Sequence, residues 1–357
     1  MPNTTRKDVS MKFFRSVTVL LLLFALLLSF VGCGKGYRPV KSSEEELVTT
    51  LSFGEGLDVP YELYRFYFLS ELSLAGKDPA TMAAAEKKAY FDEIHEKTLD
   101  ELGHLYAVKN LCAKYGIDIE SDALDEAVQE DVNTLVDETY GGDHDKYLAA
   151  LRDSNMNDSV FRTVLRLQKA EKLLGDHMRD KSVIKSDAVT VKKYIESDEC
   201  IRVSWIYISH MNRQNYNQMQ LDTMEMEAQS ADNETFMRLT HSVIPDTYTD
   251  DELDTGFYIG RYQLDPYYEE LTNTAFSLAM GETSDWVTSG DGIYLVRRLP
   301  KDEAYVNDTK NLADFAEYYL LNSYYKILAE EKARLVSGVR YDASFSALSF
   351  DTVKKPS

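Results

Sequence analysis

The chain has 357 residues, 44% of them hydrophobic, which is enough to bury a substantial core and to build more than one domain. Its formal charge of −21 understates an acidic body: residues 1–32 carry four Lys/Arg and one Asp, a net +3, so the remainder stands at −24. Without clustered positive charge, such a chain is excluded as a nucleic-acid binder and from adhering electrostatically to an anionic membrane surface.

Arg6, Lys7, Lys12 and Arg15 precede an apolar run from Val17 to Val31 that ends at Gly32-Cys33. A basic start, an apolar stretch this short and a small residue at the end describe a secretory signal peptide rather than a membrane span. Met11-Lys12-Phe13-Phe14-Arg15 is a complete basic start by itself, so Met1 and Met11 are both candidate first residues. Phe30-Val31-Gly32-Cys33 resembles a bacterial lipobox, with Phe30 where leucine is usual. The resemblance implies cleavage after residue 32, lipid on Cys33, and a polar tether over 33–43 holding the protein to the outer side of the cell membrane. An ordinary cleaved signal or an uncleaved anchor are the alternatives.

Leu47 to Phe53 reads as a short strand with Gly54-Glu55-Gly56 as its turn, and Pro60 opens a helix through Leu63, Phe66, Tyr67 and Leu74. A helical pattern from Ala80 to Tyr115 stops at Gly116, a suitable C-cap. Ser121 starts the next, through Ala123 to Val136, ending near Gly141-Gly142. Two further helices hold Tyr147 to Leu151 and Val160 to Leu174, and Ser186 is expected to cap one holding Val189, Val191, Tyr194 and Ile195. Ala113-Lys114-Tyr115-Gly116-Ile117, Ser121-Asp122-Ala123-Leu124, and Tyr147-Leu148 through Phe161-Arg162 resemble, in that order, the N-terminal part of the exported foldases related to PrsA and the chaperone SurA.

Arg202-Val203-Ser204-Trp205-Ile206-Tyr207-Ile208 is β-branched and aromatic and reads as a buried strand. Helical patterns follow over about 216–230 and through Phe236, Leu239 and Val243. Then come Asp254-Thr255-Gly256-Phe257-Tyr258, Gln263-Leu264, Tyr268, Ala275-Phe276-Ser277-Leu278, Gly281-Glu282 and a closing strand Gly292-Ile293-Tyr294-Leu295-Val296. This succession resembles the parvulin (PpiC, rotamase) family of peptidyl-prolyl isomerases. The resemblance implies a small antiparallel sheet flanked by helices and a proline-binding pocket. Trp205 and Tyr294 stand where the family places its two histidines, and the acidic position at the pocket floor falls on or near Asp246. The implied catalytic positions are therefore Asp246, Tyr294 and Trp205, and the implied substrate-binding positions Leu264, Tyr268, Phe257 and Gln263. Tyr294 is expected to hydrogen-bond with Asp246 or substrate, and an indole N–H and a phenol O–H can also bond with each other. Two readings stay open: isomerase activity survives weakly, or Trp205 and Tyr294 are core fillers in a domain that kept only its peptide-binding shape.

After Pro300, a helix from about Asp308 to Ser337 is expected, with a short strand over Phe345 to Phe350 beyond it. The foldase resemblance implies that this helix completes the N-terminal helical domain. The expected fold class is α+β: a mostly helical SurA/PrsA-like chaperone domain built from 44–198 and 301–340, with a parvulin-like domain inserted over 199–300 and a tail over 341–357. Cys112 and Cys200 either pair or remain buried thiols. His95, His104, His144, His177, His210 and His241 are scattered without ligand spacing, so no metal or cofactor is expected. The expected partners are unfolded or proline-containing secreted polypeptides, the bilayer through Cys33, and a second copy in a homodimer. The 24 tyrosines suit either a peptide cradle or half-buried helix packing. The expected function is a foldase with weak or absent isomerase activity. The alternative is a non-catalytic module dedicated to one secreted or envelope partner.

Overall fold

A computed structural model describes residues 49–243, 248–262 and 268–353, which fall into two units. One comprises 49–177 and 328–353, the other the described residues of 178–327. Cys33, Asp246, Gln263 and Leu264 lie outside the described residues. Helices predominate, with two small antiparallel sheets, in agreement with the α+β class. Among the described residues no helix is long and apolar enough to cross a membrane.

The first unit begins with an antiparallel hairpin of β1 (Thr49–Ser52) and β2 (Asp58–Pro60). Pro60 is extended and has no N–H to leave unsatisfied, so it sits at the start of α1 (Tyr61–Ala75) without cost. A 3-10 turn, Pro79–Thr81, comes next, because the Asp78 carboxylate accepts the Ala80 N–H and starts a separate turn there. The long helix α2 (Ala84–Lys114) therefore begins four residues later than the pattern from Ala80 suggests. It stops where expected: Gly116 takes φ 71° and the Ile117 N–H closes on the Cys112 carbonyl at 2.8 Å. α3 (Asp122–Tyr140), α4 (His144–Asp153) and α5 (Asp158–Asp180) follow, and their apolar faces join those of α1 and α2 in one core around Leu63, Ile94, Leu102, Val132, Leu151 and Val164.

In the second unit α6 (Ala188–Glu196) is capped by Asp187 rather than Ser186, its carboxylate accepting the N–H groups of Val189 and Thr190. In chain order come β3 (Cys200–Ser209), α7 (His210–Arg213), α8 (Gln218–Ser230), α9 (Asn233–Val243), α10 (Asp250–Thr255), β4 (Phe257–Gly260), α11 (Glu269–Ser277), β5 (Val287–Thr288), β6 (Gly292–Leu299), α12 (Glu303–Asn307) and α13 (Thr309–Ser337). The four strands form an antiparallel sheet in the order β4-β3-β6-β5. Side chains alternate across it. Ile201, Val203, Trp205 and Tyr207, with Tyr294 and Val296, face α11, while Ile206 and Leu295 face Ala228 of α8 and Phe236 of α9.

From Leu328 onward the chain belongs to the first unit again. β7 (Arg340–Tyr341) pairs with β1, giving the sheet order β2-β1-β7. A 3-10 helix, Ala343–Ala347, and α14 (Phe350–Val353) replace the strand expected over 345–350. The Asp342 carboxylate caps the 3-10 turn through the Ser344 N–H, a local bond that outcompetes an extended conformation. Residues 341–353, read from the sequence as a tail, pack into the core through Phe350 and Val353. The buried Arg65 guanidinium helps to hold them, donating to the Val353 carbonyl at 3.0 Å and to the Asn155 carbonyl at 3.3 Å. Cys112 and Cys200 are both buried free thiols.

Candidate functional site

The register of β3 and β6 builds the site. Tyr207 lies opposite Tyr294, Trp205 opposite Val296 and Ser209 opposite Gly292, so Trp205, Tyr207 and Tyr294 emerge on one face. Phe257 of β4, paired with Val203, comes up on the same face. Its ring stacks on the Trp205 indole at 4.1 Å between centroids and 2° between planes. Tyr294 meets the indole edge-on at 6.0 Å, Tyr207 lies 4.8 Å from Tyr294, and Tyr248, just before α10, lies 4.9 Å from Phe257. Tyr294 is buried, while Trp205, Tyr207, Tyr248, Phe257 and Tyr268 are half-buried. Together they make an aromatic cup, with Trp205, Tyr207, Phe257 and Tyr294 on the strands and Tyr248 and Tyr268 on the segments that flank them.

One carboxylate organises the rim. Asp291 precedes Gly292, where any Cβ would collide with the Ile208 carbonyl oxygen, so glycine is required for β6 to start this close to β3. The Asp291 carbonyl accepts the His210 N–H at 3.0 Å and the Tyr207 hydroxyl at 3.3 Å. Its carboxylate accepts the Tyr294 hydroxyl at 2.9 and 3.1 Å and the Tyr268 hydroxyl at 3.2 Å. Burial, and then the hydrogen bond to this carboxylate, push the Tyr294 phenol far above its ordinary value. Burial and then Asp291 also raise Tyr207. Both phenols therefore stay protonated and act as donors at neutral pH.

The indole N–H of Trp205 is different. Its Nε1 is buried and makes no hydrogen bond of ordinary geometry. It lies near enough to Tyr248 to favour that residue's phenolate, but burial outweighs this and the Tyr248 phenol is raised. The cup thus combines an apolar aromatic wall, one carboxylate, protonated phenols and one unpaired N–H donor.

Of the positions implied by the sequence, Trp205, Tyr294, Phe257 and Tyr268 come together here. Asp246, Gln263 and Leu264 fall outside the described residues, as does Cys33. Tyr294, for which the sequence implies a bond with Asp246 or with substrate, donates to Asp291, because the tight turn before Gly292 delivers that carboxylate three residues away. Asp291, Tyr207 and Tyr248 are not among the sequence-implied site residues. Strict alternation along β3 would have placed Tyr207 beside Trp205, whereas Asp291 and Tyr248 carry no periodic signal.

No known protein family and no curated protein sequence matches this chain. Among solved structures it is similar to the foldase protein PrsA from Streptococcus pneumoniae, at 17% identity over 67% of this chain and 80% of that one, with a TM-score of 0.28. PrsA from Bacillus subtilis gives 17% identity over 83% and 93%, with a TM-score of 0.26. A SurA-like chaperone of Campylobacter jejuni gives 13% identity over 82% and 99%, with a TM-score of 0.23. At TM-scores this low the similarities carry no argument, and the functional reading rests on the residues.

Proposed function

We propose that this chain is an exported folding factor, lipid-anchored through Cys33 outside the cytoplasmic membrane. In this reading the helical unit holds non-native secreted polypeptide, and a parvulin-like domain over 199–300 binds proline-containing segments with weak or absent isomerase activity. One observation supports it most: Trp205 and Tyr294, the residues at the two histidine positions of the resemblance, stand together with Phe257 and Tyr268 on one face of the sheet.

The chemistry asked of such a cup is limited. Turning an X-Pro bond breaks amide resonance, a barrier of about 18–20 kcal/mol, but breaks no covalent bond. A catalyst needs an apolar surface for the pyrrolidine ring and polar groups that favour the twisted amide over the planar one. The rings supply the surface. The polar part is weaker, since the Tyr294 proton is already donated to Asp291 and the Trp205 N–H is buried away from a bound amide. Binding is therefore better supported than catalysis.

Prolyl exchange in a panel of X-Pro peptides, followed by NMR with the full-length protein, tests this. The expected result is peptide resonances that shift on binding with little or no acceleration of exchange. Absence of any shift removes the prolyl-binding reading, and strong acceleration makes the protein an isomerase. Metabolic labelling with a radioactive fatty acid, lost in Cys33→Ser, tests the anchor separately.

A further inference from the structure

We infer that the cup selects segments in which a cationic side chain, Lys or Arg, stands next to the proline. This rests on the prolyl-binding reading above and adds its substrate class. The Asp291 carboxylate sits at the rim, half-buried, with Tyr294 and Tyr268 donating to it. Phenol donors fix a carboxylate in place without cancelling its charge. Among the described residues none of the ion pairs involves it. His210, whose main chain is bonded to Asp291, has its ring Nε2 at 3.0 Å from the Ser289 carbonyl.

The surroundings point the same way. Ring faces attract cations through their quadrupole; the half-buried Tyr207 and Tyr268 both bond to Asp291, and the half-buried rings of Trp205 and Phe257 pack in the same cluster. A bound prolyl ring on the indole and Phe257 places the neighbouring residue towards the rim. There a guanidinium or ammonium meets a fixed negative charge in a poorly hydrated setting, and a carboxylate meets repulsion. The net −24 of the chain beyond residue 32 adds a field of the same sign.

Matched peptides that differ only in having Arg, Ala or Glu before proline test the inference, with affinities read by NMR against full-length protein at neutral pH. The Arg peptide is expected to bind roughly 10-fold more tightly than the Glu peptide, with Ala between, and about 0.5 M salt should shrink the ratio. In Asp291→Asn the Arg-to-Glu ratio should fall to within about 2-fold. If Asp291→Asn fails to fold, the salt series on the unaltered protein decides the matter: an Arg-to-Glu ratio that does not shrink at about 0.5 M salt overturns the inference. Equal affinities in the unaltered protein, or a preference that survives Asp291→Asn, overturn the inference alone. Failure of every peptide to bind overturns the prolyl-binding reading and the inference with it.

Discussion

Replacing Trp205 by Phe separates what the fold needs from what a bound peptide needs. The indole Nε1 is buried without a hydrogen-bond partner, and an orphaned donor of this kind costs about 1–3 kcal/mol, which Phe removes. Against this, the smaller ring gives up a few buried atoms, about 1–2 kcal/mol at roughly 0.8 kcal/mol per methylene-sized group. A six-membered ring remains to stack on Phe257. The two effects nearly cancel, so the stability of the second unit should change by less than about 1 kcal/mol. Peptide binding should respond differently: the smaller ring offers a bound pyrrolidine less apolar face, by about one methylene-sized group or about 0.8 kcal/mol, which weakens binding roughly 4-fold. Urea unfolding followed by the fluorescence of Trp286, which then stands alone, and by circular dichroism gives the first quantity, and peptide titration gives the second. A loss above about 2 kcal/mol with binding unchanged would refute the reasoning, since the N–H would then be paired inside the fold. Its partner would be the Tyr248 hydroxyl, and Tyr248→Phe would reproduce the loss.

Three further outcomes are expected. Arg65→Met should cost the first unit about 2–4 kcal/mol in urea unfolding, because two backbone carbonyls lose a charged donor, and limited proteolysis should then cut first after residue 340. Burial lowers the His95 imidazole from its ordinary 6.5 to about 4, with Asp92 opposing, and its two nitrogens each lie 3.0 Å from a tyrosine hydroxyl, those of Tyr64 and Tyr341. A depressed folded value means that the unfolded chain takes up protons first, so the contribution is complete above pH 6.5 and is lost as pH falls towards 4. The loss should amount to about 1–3 kcal/mol, allowing for partial exposure, and His95→Gln should flatten the pH dependence of unfolding over this window. Burial pushes the Cys112 thiol up to about 11 and the Cys200 thiol up to about 12, so iodoacetamide at mildly alkaline pH should modify neither until the chain is unfolded. Rapid labelling of the native protein would contradict both burials.

Much of the framework was legible because it depends on local chemistry. The β-branched and aromatic run from Arg202 to Ile208 and the strand at Gly292–Val296 are where the structure has β3 and β6, and Gly116 ends α2 as its conformational freedom suggests. Misreadings occurred where a short polar side chain decided between two local conformations. Asp187 outcompeted Ser186 as a cap, Asp78 split a turn from the start of α2, and Asp342 turned an expected strand into a 3-10 helix. In each case one side-chain oxygen finding a backbone N–H outweighed a hydrophobic pattern that extends across the boundary.

The sequence by itself determined that aromatic residues occupy both histidine positions of the resemblance, since those identities depend only on aligned strands. It also carried the acidic body and the basic, apolar character of the first 32 residues, which are sums over residues and need no fold. What Tyr294 bonds to was decided by the tertiary structure alone. Asp291 becomes its acceptor because Gly292 lets β6 begin against β3 and Tyr268 arrives from the start of α11. The same holds for Arg65, whose helical sequence gives no hint that it reaches the carbonyl of Val353, 288 residues away. Periodicity reports which face of an element is apolar, whereas a hydrogen bond between distant segments depends on where two backbones meet, and packing sets that distance.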